Sequence, residues 1–182
     1  MKNVPQNSIF DALALDGTGK ELIPIQYGHI SLDILGGLNL EQGWVSVEDE
    51  GRKKNGVANF RTGQTIAPIY SSMRVYPGFF LAYMSYDNGK RDEYIMLDRQ
   101  GQEAGRYDQT EWLKGAGMLA ARVGRDDNYA LLDGTGKQIF PARCESVWQA
   151  AASFVWCRTD AGKVLVDNTG REYRIPYGDL TR

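Results

Sequence analysis

The chain has 182 residues, 42% hydrophobic and 24% charged, with 21 Lys and Arg against 23 Asp and Glu for a formal net charge of -2. This is an ordinary globular composition, long enough for one sizeable core, and it reads as a single domain over residues 1–182. The interspersed charges leave no basic stripe for nucleic acid, and the N-terminal apolar residues, interrupted by Asp11 and Asp16, make neither a signal sequence nor a membrane anchor. Cys144 and Cys157 are too few for the disulfide framework of a small secreted domain. They read as reduced, packed thiols, although neighbouring strands could bring them together, and the expected compartment is the cytoplasm. One histidine, His29, and no C-x-x-C spacing argue against a zinc site, so no metal or cofactor is expected.

The first element signal is the turn string LDGTGK at Leu15–Lys20, which returns at Leu132–Lys137. It is not a phosphate loop, because Glu21 and Gln138 follow the lysines where a hydroxyl must meet magnesium, and the leading glycine is missing. It is not a calcium loop either, since Lys20 and Lys137 occupy a position that needs an oxygen ligand. Next comes GHISLDILGGLNLEQG over 28–43, where the stretch from Ile30 predicts a short helix. Beyond it, hairpins are predicted in GWVSVEDEGRKKNGVANF from Gly43, FFLAYMSYDNGKRDEYIMLD from Phe79, MLAARVGRDDNYALLD from Met118 and FVWCRTDAGKVLVD from Phe154. Each is two apolar runs around a charged tip, and each leads into a turn: FRTGQTIAPIY, LDRQGQEAGRY, LDGTGKQIFPA and VDNTGREYRIPY.

The pivotal glycines Gly19, Gly63, Gly101, Gly136 and Gly170 are spaced 44, 38, 35 and 34 residues apart, which makes five copies of one unit. Glycine takes positive φ without steric cost, and a flanking Asp accepts nearby backbone amides, so Asp16, Asp98, Asp133 and Asp167 read as turn stabilisers. Pro24, Pro68, Pro141 and Pro176 mark strand ends or edges, and Tyr27, Tyr70 and Tyr107 recur as packing residues. The predicted fold is all-β: five short antiparallel units of about 34–44 residues in a solenoid-like array, with a propeller-like closed ring as the alternative. Thirty-four residues look short for a four-stranded blade, which takes about 40 or more.

LDGTGKELIPIQY from Leu15 and LDGTGKQIFPARCESV from Leu132 resemble the second half of the bacterial WG-repeat unit, x-x-G-K-x-x-x-P-x-x-Y. The similarity runs along the whole chain, with the Trp-Gly pair standing as Asn55-Gly56, Glu93-Tyr94, Asn128-Tyr129 and Lys163-Val164. Membership would imply a β-rich repeat scaffold and no particular activity.

No catalytic constellation is legible: His29 has no partner histidine, and Ser31 stands outside any nucleophile elbow. In a regular array the hairpin tips would align Glu48, Asp49, Glu50, Asp87, Asp126, Asp127 and Asp160 among lysines and arginines, a row suited to selecting a charged protein partner. The insertion's Leu35 and Leu38 would add an apolar cap or contact. The sequence therefore predicts a non-enzymatic protein-binding scaffold, of a kind that includes immunity proteins neutralising a cognate toxin. A binder of carbohydrates or small ligands between repeats is the alternative.

Overall fold

The computed structural model describes residues 18, 20, 23, 27, 29–31, 42–49, 51–86, 92–124 and 127–174. The protein is all-β, with antiparallel strands in four four-stranded sheets whose order follows the chain. The first sheet holds β1 (His29–Ser31), β2 (Trp44–Glu48), β3 (Asn55–Asn59) and β4 (Thr65–Tyr70). The second holds β5 (Ser72–Val75), β6 (Phe80–Met84), β7 (Glu93–Leu97) and β8 (Glu103–Tyr107). The third holds β9 (Gln109–Leu113), β10 (Met118–Arg122), β11 (Tyr129–Leu132) and β12 (Gln138–Cys144). The fourth holds β13 (Ser146–Ala151), β14 (Phe154–Thr159), β15 (Gly162–Asp167) and β16 (Glu172–Tyr173).

The second, third and fourth sheets start 37 residues apart, at Ser72, Gln109 and Ser146. Four strands fit so short a period because each has only four to seven residues until the final two-residue β16, and tight turns join them. The expectation that the period is too short for four strands is thereby corrected. The glycine turns fall inside a sheet, between its third and fourth strands, and the charged tips between its second and third. Gly19, the fifth pivot, lies outside the described residues. The predicted helix from Ile30 also lies mostly outside them, and its first two residues, Ile30 and Ser31, belong to β1 instead.

The turns form as their composition dictates. Gly63, Gly101, Gly136 and Gly170 have φ of 74°, 83°, 86° and 84°. Asp98, Asp133 and Asp167 each accept backbone amides on Oδ1, and Asn59 takes that role in the first sheet. Pro68 and Pro141 sit in β4 and β12, edge strands of their sheets, where a missing amide hydrogen breaks no ladder on the outer side.

The chain divides into two compact units, residues 1–76 with 80–85, and residues 77–79 with 86–182. In the first, Ile23, Ile30, Val45, Val47 and Ala58 form a core, with Tyr27 and Phe60 packed on it. In the second, one face of the third sheet contributes Met118, Ala120, Leu131 and Phe140, and the fourth sheet contributes Val155, Cys157, Val164 and Val166. Cys144 on β12 and Cys157 on β14 meet inside this core and are paired in a disulfide, with Cα atoms 5.2 Å apart. The expectation of two reduced thiols is corrected: β12 and β14 pack together although they belong to different sheets, and this places two distant cysteines in bonding geometry.

Candidate functional site

The tip acids are mostly occupied by their own hairpins. Asp49 Oδ1 accepts the amides of Gly51 at 3.0 Å and Arg52 at 2.7 Å, and Glu48 pairs with Lys53 at 3.2 Å. Asp127 Oδ2 accepts the Gly124 amide at 2.8 Å. Asp160, at the β14–β15 tip, lines a polar recess of about 260 Å³ together with Glu145, Arg158 and Lys163. Glu50, Asp87, Asp126, Leu35 and Leu38 lie outside the described residues. Tip composition thus reflects turn formation first, and of the described tip acids Asp160 and Asp127 also line recesses.

The turn aspartates are equally committed. Asp133 Oδ1 accepts the amide and hydroxyl of Thr135 at 2.8 and 2.6 Å. Partial burial opposes its charge, but the Thr135 hydroxyl and the Thr135 and Lys137 amides outweigh that and hold the carboxyl below its ordinary value. The Thr169 hydroxyl, at 2.6 Å, is the main cause of the Asp167 carboxyl lying at about 2, helped by two backbone amides and the Tyr173 hydroxyl. Acceptors so fully engaged make turns rather than ligand sites.

A surface that sequence reasoning missed lies on the fourth sheet. Register pairs Trp148 with Trp156, Trp156 with Leu165, and Leu165 with Tyr173, one lateral row across all four strands. Strand alternation puts the row on the face opposite Val155, Cys157, Val164 and Val166, which are buried in the core. Trp148 is 36% exposed, and Trp156, Leu165 and Tyr173 are half-buried. Phe154 meets Tyr173 edge-on at 6.0 Å between centroids. Lys163 stands 5.6 Å over Trp148 and Arg171 5.1 Å over Tyr173, so a cation flanks each end of the row. The signal was present in the alternation of SVWQAA, FVWCRT and KVLVD, but only the register shows that the two tryptophans are neighbours.

The position of this row in the repeat is informative. Gly117 and Ser153 share a φ of 66° at matching turns before β10 and β14, and Ala120 and Trp156 each stand three residues later. The matching row of the third sheet is Glu111, Ala120, Leu131 and Phe140. There, Ala120, Leu131 and Phe140 are the residues packed against the fourth sheet. The aromatic row therefore lies on the face of the fourth sheet that corresponds to the face by which the third sheet packs on the fourth.

Among the described residues no group of three His, Cys, Asp or Glu could hold a metal ion, and no helix is long and apolar enough to cross a membrane. No family model and no curated protein matches the chain.

Proposed function

We propose that the chain is a non-enzymatic protein-binding module, a β-repeat scaffold of the WG-repeat kind whose units stack as an open array, and that its contact surface is the aromatic face of the fourth sheet. The observation that carries the reading is the row Trp148, Trp156, Leu165 and Tyr173 with cations at both ends. Tryptophan, tyrosine and arginine are the residue types in which interface energy concentrates, and a rigid sheet presents them at little entropic cost. Asp160, Arg158 and Lys163 border the recess at the adjoining tip, where opposite charges select orientation and partner. An immunity protein that covers a toxin is one occupation this surface fits. The buried disulfide supports action in an oxidising compartment over the expected cytoplasm.

The test is a tagged pull-down from the native host with the parent chain and with a Trp148→Ser, Trp156→Ser double variant of unchanged thermal stability. A stoichiometric partner held by the parent and lost by the variant supports the reading. A partner held equally by both, or none held by either, refutes it.

A further inference from the structure

The disulfide lies directly behind the aromatic face. Cys157 follows Trp156 on β14 and points to the other side of the strand, into the core that the third and fourth sheets share. Its partner Cys144 ends β12, with Glu145 alone between it and the fourth sheet. The bond spans 13 positions and so closes a loop that holds all of β13 and the start of β14, and with them both Trp148 and Trp156.

The other ties between these two sheets are modest. The fourth sheet turns Val155, Val164 and Val166 towards the third, small side chains beside the Met118, Leu131 and Phe140 that they meet. Among the polar ties, the Ser153 amide donates to the Gly115 carbonyl at 3.1 Å, the Ala116 amide donates to Gln149 Oε1 at 3.2 Å, and Arg143 pairs with Glu172. Single hydrogen bonds and an exposed ion pair each add little to stability. The closing strand, β16, has two residues. An element with small apolar contacts and a short last strand belongs to the part of a fold that opens before the rest. With the bond intact, such an opening leaves β13 and the start of β14 inside a closed ring, so the opened chain gains less freedom. For a loop of 13 positions, the chain-entropy relation makes opening about a hundredfold more frequent once the bond is gone.

We propose that the Cys144–Cys157 bond is a redox latch on the fourth sheet: made, it keeps the sheet docked on the third with the aromatic row presented; broken, it lets the sheet undock as a unit while the third sheet stays folded. The consequence for partner capture rests on the protein-binding reading above, and the latch itself does not. Both cysteines are fully buried, so a reductant reaches the sulfurs only when the sheet opens. There, one thiolate of a dithiol reductant attacks one Sγ and the other cysteine leaves as a thiolate. The second thiol of the reductant then displaces the first cysteine, so two electrons and the two thiol protons pass to the protein and the reductant departs as a disulfide. The latch therefore answers to the surroundings in which the chain folds, and a brief exposure of the native protein to reductant leaves it closed.

Amide hydrogen exchange read by mass spectrometry tests this on the full chain in three forms: with the bond intact, reduced by dithiothreitol under denaturant and refolded in it, and as a Cys144→Ala, Cys157→Ala variant. Amides of β13, β14 and β15 are expected to exchange about a hundredfold faster in the two forms without the bond, while those of β10 and β11 keep their protection. Equal exchange of β14 in all three forms overturns the proposal. Acceleration that is uniform over the third and fourth sheets also overturns it, because the bond then stabilises the whole and latches nothing; a chain that fails to fold without the bond gives this same result. The readout needs no partner, so failure of the latch and failure of the binding surface are separate results.

Discussion

The disulfide gives the sharpest test of the fold. Cys144 and Cys157 are fully buried and separated by 13 positions, and their bond ties the last strand of the third sheet to the second strand of the fourth. Closing a loop of that length in the unfolded chain removes entropy equivalent to about 3 kcal/mol at room temperature, by the chain-entropy relation. For a chain of this size, 1 kcal/mol moves the melting temperature by about 2–4 °C, so loss of the bond should lower it by roughly 6–12 °C. The assay is thermal unfolding followed by circular dichroism, on oxidised protein and on protein unfolded, reduced and refolded in reductant. A Cys144→Ala, Cys157→Ala variant should melt with the reduced form or slightly below it, because the missing sulfurs leave small cavities. The buried bond should also resist reductant in the native state and yield once denaturant is added. Thiol titration of native protein that finds two free sulfhydryls, or equal melting temperatures with and without reductant, would refute the pairing and with it the packing of β12 on β14.

Two further predictions address the turns. A Cβ on Gly170 would lie 2.1 Å from the Ile139 carbonyl oxygen at a φ of 84°, whereas one on Gly63, at 74°, would meet nothing within 4 Å. Gly63→Ala should therefore cost only the left-handed strain of about 1–2 kcal/mol, and Gly170→Ala clearly more, as read from urea midpoints; equal losses would show that the fourth sheet's turn does not press on β12. At Asp167 the carboxyl lies at about 2 against an ordinary 3.8, so the folded state binds fewer protons than the unfolded one between these values. Stability should be fully present above pH 4 and fall as pH drops towards 2, with Asp167→Asn flattening that slope; parallel profiles for parent and variant would contradict the turn bonding.

The local chemistry was legible in the sequence, and the register was not. Glycine at positive φ and aspartate beside it belong to a turn whatever surrounds them, so Gly101, Gly136 and Gly170 behave as read. The alternation of VWC against its neighbours announces a strand with two faces. It does not say which face meets the core, because Val155 and Cys157 are little more apolar than Trp156, and burial follows from which sheet arrives on which side. The described residues form four four-stranded sheets where the sequence reading expected five units, and the sheet boundaries do not coincide with the strongest sequence mark: the glycine turn lies inside each sheet, one strand before its end, while the joints between sheets are short and unmarked, Ser71, Asp108 and Glu145. Alanine is the least distinctive residue in a pattern, so the recess that Asp127 lines with Ala121, Ala130 and Ala142 left no trace before the strands were aligned.

The aromatic row is where repeat logic and composition part company. Its place is that of a stacking face, since the same row in the third sheet is sealed by the fourth. Its contents are different: indoles at Trp148 and Trp156 stand where the third sheet has Glu111 and Ala120. The third sheet's joint has room for a methyl group at Ala120, and a tryptophan there would force apart strands that pack at interior density. A further copy of the same unit, docked with the same geometry, would accordingly not fit on Trp156. The face corresponds to the one by which the third sheet meets the fourth, and its side chains would suit only a deeper, differently shaped counterpart. The proposed protein-binding function would then call for a partner that offers pockets for two indoles, and the cations over Trp148 and Tyr173 would put positive charge at both margins of such a contact, where acidic residues of the partner would orient it.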